Sequence, residues 1–123
     1  MEETVGLETV VEHGTRGRVR VAVSGEIDFV SAPRLRAALD AALSDGARRV
    51  VVDFGEVQFC DCYGLSVLLR ARRRARERGM DLRLVNVDAP PVRRLLELTE
   101  TAAALLGPPA TEVETETDSE RSG

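Results

Sequence analysis

In "RVRVAVSG", Val19, Val21 and Val23 alternate with Arg18, Arg20 and Ala22, the two-residue period of a half-buried strand. An earlier apolar stretch, residues 5 to 11, predicts a partner strand, and "EHGTRG" between them is a loop with two glycines. "GEID" ends the second strand, and the period then changes. From about 32 to 44 the apolar residues fall at helical spacing: Leu35, Ala38, Leu39, Ala42 and Leu43. Ser31 is placed to cap that helix, Pro33 is tolerated in its first turn, and Gly46 can take the left-handed conformation that stops it.

"RRVVVDF" breaks the alternation. Three consecutive valines predict a strand covered on both faces, as in a parallel pair. A second helix is expected from about 64 to 78, closed by Gly79. "MDLRLVNV" is the next strand, and "PPVRRLLELT" opens a third helix with proline at its start and Val92, Leu95 and Leu96 on one side. Ala102 to Leu106 predicts a last edge element before "GPP". The resulting β-β-α-β-α-β-α order is that of an α/β domain with a mostly parallel sheet.

Composition sharpens this picture without changing it. A chain of 123 residues, 43% hydrophobic and 31% charged, fits one soluble domain. With aromatics at only 3% and no Trp, the core must be built from Val, Leu and Ala. No apolar run approaches the roughly 20 residues that span a bilayer. The acidic start "MEETVGLETV" has no basic-then-apolar signal pattern, so a cytoplasmic setting with free thiols is expected. All 17 basic residues are Arg. The end of the chain, from Thr111, holds five acids and one Arg and reads as a disordered, solubilising tail. Residues 1 to 110 are then neutral, which gives no whole-domain field to draw nucleic acid. The domain is expected over 1–108 and the tail over 109–123.

Candidate chemistry concentrates in "FCDCYGLS", residues 59 to 66. Two cysteines with one residue between them, and a single distant His13, fall short of the four ligands of a structural zinc site. The glycines form no phosphate-cradling pattern, so no nucleotide cofactor is expected. In an extended segment the Cα atoms of Cys60 and Cys62 stand roughly 6.5–7 Å apart, at the limit for a disulfide. Cys60 is most simply a buried small hydrophobe, whereas Cys62 lies just before Gly64 and the helix start. Asp28 and Asp61 both follow strand ends and can meet in space, where capping or partner contact is the commoner role. "RARRRARER", 70 to 78, carries six Arg and one Glu. It places Leu65, Leu68, Leu69, Ala71 and Ala75 on one helix face and Arg70, Arg73, Arg74, Glu77 and Arg78 opposite. Arg72 and Arg76 snorkel from the core edge. The basic side is a solvated face or meets an acidic partner; without aromatics for base stacking, nucleic acid is the weaker option.

Several of these local signals also stand in a familiar order. "VSGEID", followed by "RRVVVDFGEVQFCDCYGLSVLLRARRRARERGMDLRLVNVDAPPVRRLLELT", resembles the STAS domain family of anti-sigma factor antagonists. The resemblance covers about residues 5 to 106. It rests on a Gly-Glu-Ile-Asp turn, a Val-rich strand ending in Asp-Phe, an Asp-x-x-Gly-Leu helix start and a late Pro-Val-Arg-x-Leu-Leu helix. It implies a small mixed sheet with helices packed mainly on one side. It also implies a non-enzymatic module that docks on an anti-sigma factor with serine kinase activity, or a related kinase-like regulator, and so releases a sigma factor. No membrane or nucleic-acid partner is implied.

In that family the kinase phosphorylates the residue after the aspartate of an Asp-Ser-Ser/Thr-Gly motif, and this abolishes docking. By the resemblance Asp61 is the motif aspartate, Gly64 its glycine and Asp28 the acid of the first turn. The acceptor position is Cys62 and the next is Tyr63, where the family has Ser or Thr. Ser66 replaces a usual glycine, Glu100 stands where a small residue often follows the third helix, and the acidic tail takes the place of a final helix. The expected docking surface is Asp28, Asp61, Cys62, Tyr63, Gly64 and Ser66, with the phosphate switch absent. The alternative is a redox sensor with Cys62 as its reactive thiol. An enzyme using Asp28, Asp61 and Cys62 is the weakest possibility, since nothing in the spacing requires it.

Overall fold

The computed structural model describes residues 6–43 and 46–106. Strands β1 (Leu7–His13) and β2 (Arg18–Ile27) form an antiparallel hairpin, and helix α1 (Ala32–Ala42) follows. Strand β3 (Arg49–Cys60), helix α2 (Cys62–Glu77), strand β4 (Asp81–Val85) and helices α3 (Pro90–Leu98) and α4 (Ala102–Leu106) complete the order. The four strands lie side by side as β1-β2-β3-β4, with β2–β3 and β3–β4 parallel. The mixed sheet of an α/β domain is therefore as expected. The first strand's expected start at residue 5 and the tail from 109 lie outside the described residues.

One face of the sheet carries the core. Val19, Val21 and Val23 of β2, Val50, Val52 and Phe54 of β3, and Leu82 and Leu84 of β4 are all buried there. The buried residues of the helices, Leu35 and Leu39, Leu68 and Ala75, Val92 and Leu96, and Leu105, belong to the same cluster. The opposite face is polar. Arg20 reaches both Glu12, at 2.9 Å, and Asp53, while Asn86 donates to Asp53 at 3.1 Å. Val51 lies on that face, paired with Arg20 and Arg83, and is only half-buried. The expectation that the valine run is covered on both faces is thus wrong. The run fits a one-sided sheet because a single valine can sit on its polar side between the aliphatic stems of two arginines.

Strand β3 also runs six residues past Phe54, where the valine-rich segment ends. Its register against β2 shifts between Ala22 and Ser24 and again between Gly25 and Glu26. Such bulges absorb extra residues without ending the pairing. They change the spacing of buried residues from Val50, Val52 and Phe54 to Val57 and Cys60. The strand therefore finishes with Cys60 opposite Ile27.

Two further local expectations are corrected. Ser31 occupies the N-cap position of α1 but makes no side-chain cap bond, because its hydroxyl is tied into the preceding turn. Ala102–Leu106 is a short helix rather than an edge element, with Leu105 buried, so a final helical turn is present. An Ala- and Leu-rich segment without β-branched residues favours that outcome. Glu100, where the family has a small residue, adopts a positive φ of 59°. Gly46 takes the left-handed conformation expected of it, at φ 73°, and Gly79, which follows α2, has a φ of 75°. No helix among the described residues is long and apolar enough to cross a membrane.

Candidate functional site

The end of β2 is tied to the residue that joins β3 to α2 by a backbone bond, Asp61 N to Ile27 O at 3.0 Å. Asp61 is extended and is the N-cap of α2. Its Oδ1 accepts from Tyr63 N at 2.9 Å and Gly64 N at 3.2 Å, and its carbonyl accepts the first helical bond, from Leu65 N. The carboxylate satisfies two of the amides that a helix start leaves unpaired, and its charge suits the positive end of the helix dipole. With the cap at residue 61, the helix begins at Cys62, two residues earlier than its apolar pattern indicates.

Gly64 is buried where α2 passes closest to the sheet. A Cβ there would lie 2.4 Å from Ile27 Cγ2 and 2.7 Å from Cys60 Sγ. Only hydrogen fits, so the glycine sets how closely the helix start approaches both strand ends.

Asp28 holds the adjoining loop. Its Oδ1 accepts from the amides of Val30 and Ser31, each at 3.0 Å, and the Ser31 hydroxyl lies 3.2 Å away. The Ser31 amide is the main cause that holds the Asp28 carboxyl below its ordinary range. Partial desolvation opposes it, and the Ser31 hydroxyl and Val30 amide add to it. Asp28 and Asp61 therefore each serve their own turn. The first shapes a loop and the second caps a helix, on two segments that the Asp61–Ile27 bond holds side by side.

This loop presents Phe29 and Val30, 67% and 80% exposed, next to Tyr63, 51% exposed. The Phe29 and Tyr63 rings lie 5.1 Å apart between centroids and are tilted by 60°, within the range of favourable aromatic contacts. Three of the six exposed large apolar side chains among the described residues are thus gathered at this one junction. Phe29 and Val30 were not among the sequence-derived candidates. Their signal is two large apolar residues set directly between the turn acid Asp28 and the helix start at Ser31, outside any periodic pattern. Ser66 is exposed on the next turn of α2 and lines a cleft between α1 and α2.

The two cysteines have different surroundings. Cys60 is buried, and desolvation, helped by the nearby Asp61 charge, pushes its thiol up to about 12. Cys62 is exposed at the first helical position. Native protein should therefore react with one equivalent of an alkylating reagent near pH 8 and with two after denaturation; two equivalents in the native state would contradict the burial of Cys60. Because the folded chain holds the Cys60 proton more tightly than the unfolded chain does, this thiol's contribution to stability is complete below the ordinary thiol range of about 8.5. It is lost as pH rises toward about 12.

With the fold and this junction in view, the comparisons with known proteins agree. Residues 10–107 match the family model described as Mlab, STAS domain. The chain belongs to the STAS domain family. Among its relatives, an anti-sigma F factor antagonist of Paenibacillus polymyxa is 30% identical over 96 residues, covering 77% of this chain and 80% of the relative. The crystal structure of an anti-sigma factor antagonist from Mycobacterium paratuberculosis superposes with a TM-score of 0.72 at 30% identity, covering 94% of this chain and 97% of that one. The anti-sigma factor antagonist SpoIIAA in its unphosphorylated form shares the fold, with a TM-score of 0.71 at 19% identity and coverage of 91% and 97%.

Proposed function

We propose that this protein is an anti-sigma factor antagonist. It binds an anti-sigma factor of the serine-kinase type, and so releases a sigma factor, through the surface at the start of α2. The observation that carries this is the exposed apolar group Phe29, Val30 and Tyr63 beside a capped helix start. The relatives named above support the same role. Cys62 stands at the phosphoacceptor position. It is exposed and one residue past the cap, where a kinase reaches a serine in the family pattern. A thiol there leaves docking without the phosphate switch, because a group of charge about −1.5 to −2 is no longer added at the contact surface. The role requires binding and no catalysis.

The test is incubation with an anti-sigma factor kinase and labelled ATP. Wild-type protein is expected to bind the kinase and take up no label, and Cys62→Ser to take up label and then dissociate. Label on the wild-type chain would overturn the absence of the switch, and failure of both proteins to bind any such kinase would overturn the role. Nothing comparable favours a redox sensor. The neighbouring thiol, Cys60, is buried and held in its neutral form, which leaves Cys62 without a ready partner for a disulfide within the chain.

A further inference from the structure

The surface of α2 that points away from the core is crossed by three shallow clefts that share walls. The first, between α2, β4 and α4, is lined by Arg72, Arg76, Ala103 and Ala104 among others. The second lies on α2 itself, with Arg72, Arg73 and Arg76. The third runs between α2 and α1, with Arg36, Arg70 and Arg73, and reaches Ser66. Arg74 is engaged by Asp40 and Arg78 by the carbonyl of Leu43. By contrast, Arg70, Arg72, Arg73 and Arg76 have no ion-pair partner among the described residues. A predominantly basic track therefore crosses α2 from α4 to α1, with Glu77 within it and Asp81 and Asp40 at its two ends.

The chain carries a matching acidic segment. In "TEVETETDSE" the acids fall at every second position: Glu112, Glu114, Glu116, Asp118 and Glu120. An extended chain puts alternate side chains on one face, which spaces these carboxylates by roughly 6.6–6.8 Å. Arginines three or four residues apart on a helix rise by about 4.5–6 Å, so long guanidinium side chains can meet carboxylates at that pitch.

The described chain ends at Leu106 on α4, whose Ala103 and Ala104 already line the first cleft with Arg72 and Arg76. Six steps from Leu106 to Glu112 reach at most about 20 Å, close to the length of about 24 Å of the 16-residue helix α2.

We propose that the acidic segment Glu112–Glu120 docks on this Arg track, crossing α2 from the Arg76 side toward Arg70. The contact is between exposed charges and depends on salt. Its tethering makes it effective, because a short link holds the segment at a local concentration on the order of millimolar.

The exposed thiol of Cys62 provides the probe. With a nitroxide attached there in the full chain, the distal tail amides, residues 116–120, should lose at least half their NMR intensity at about 20 mM salt. They should recover at about 1 M, where the screening length falls to about 3 Å. Recovery is also expected at low salt in Arg70→Ser/Arg73→Ser protein. The same holds for a chain with Glu112→Gln, Glu114→Gln, Glu116→Gln, Asp118→Asn and Glu120→Gln, which leaves the domain itself untouched. Full intensity in the wild type at low salt would overturn the proposal, as would a loss that all three treatments leave in place. A loss seen only when labelled and unlabelled chains are mixed would assign the track to a second copy and also overturn it.

Discussion

Gly64→Val is expected to destabilise the protein by about 3 kcal/mol, and Gly64→Ala by about 1–2 kcal/mol after the gain in helix propensity. Both figures follow from the 2.4 Å and 2.7 Å approaches that any Cβ would make to Ile27 and Cys60. These neighbours are 0% and 4% exposed, and neither is the free end of a flexible side chain, so relief requires α2 to move off the sheet. Denaturant unfolding measures the loss, and Ser66→Ala, exposed on the same helix, serves as the comparison with a change within about 0.5 kcal/mol. A Gly64→Val protein as stable as the wild type would show that the helix start is not held as closely as described. Because the shift would displace Cys62 and Tyr63, the same variant should also weaken partner binding.

The second large effect is on binding alone. Phe29→Ala and Tyr63→Ala should each weaken association with an anti-sigma factor by about 30-fold or more, the loss typical of an aromatic anchor worth about 2 kcal/mol at an interface. Both rings are mostly outside the core, so thermal stability should barely change. Since the rings touch each other, the double variant is expected to lose less than the sum of the two single losses. Calorimetric titration of each variant decides this, and undiminished affinity in both would move the docking surface elsewhere.

Periodicity in the chain carried most of the architecture. The alternation in β2 and the three- and four-residue spacing in α1 and α2 correspond to the observed elements, because each buries one face against a single core. The valine run misled for a related reason. Continuous apolar sequence signals two covered faces, yet Val51 lies on the polar face of the sheet between Arg20 and Arg83. The second half of β3 was illegible because bulges put its buried residues three apart, a spacing that belongs to a helix rather than a strand. At the site, Asp61 and Gly64 were singled out by their likeness to the family motif, and Cys62 by its departure from it. The role of Asp28 as a loop-shaping acceptor depends on a turn geometry that composition does not specify. Phe29 and Val30 were overlooked because apolar residues in a short segment look like core until a fold places them outside it.

The capping bond of Asp61 has a last consequence. The amides at the start of α2 form a seat for an anion, and in this protein the seat is taken by the chain's own carboxylate. A phosphate introduced at residue 62 would find the Tyr63 and Gly64 amides already taken and would be repelled by the Asp61 carboxylate. It would have to project outward, into the space a partner occupies. Charge added at this position is thus directed outward rather than absorbed within the chain, and under the proposed function the thiol of Cys62 leaves that route unused.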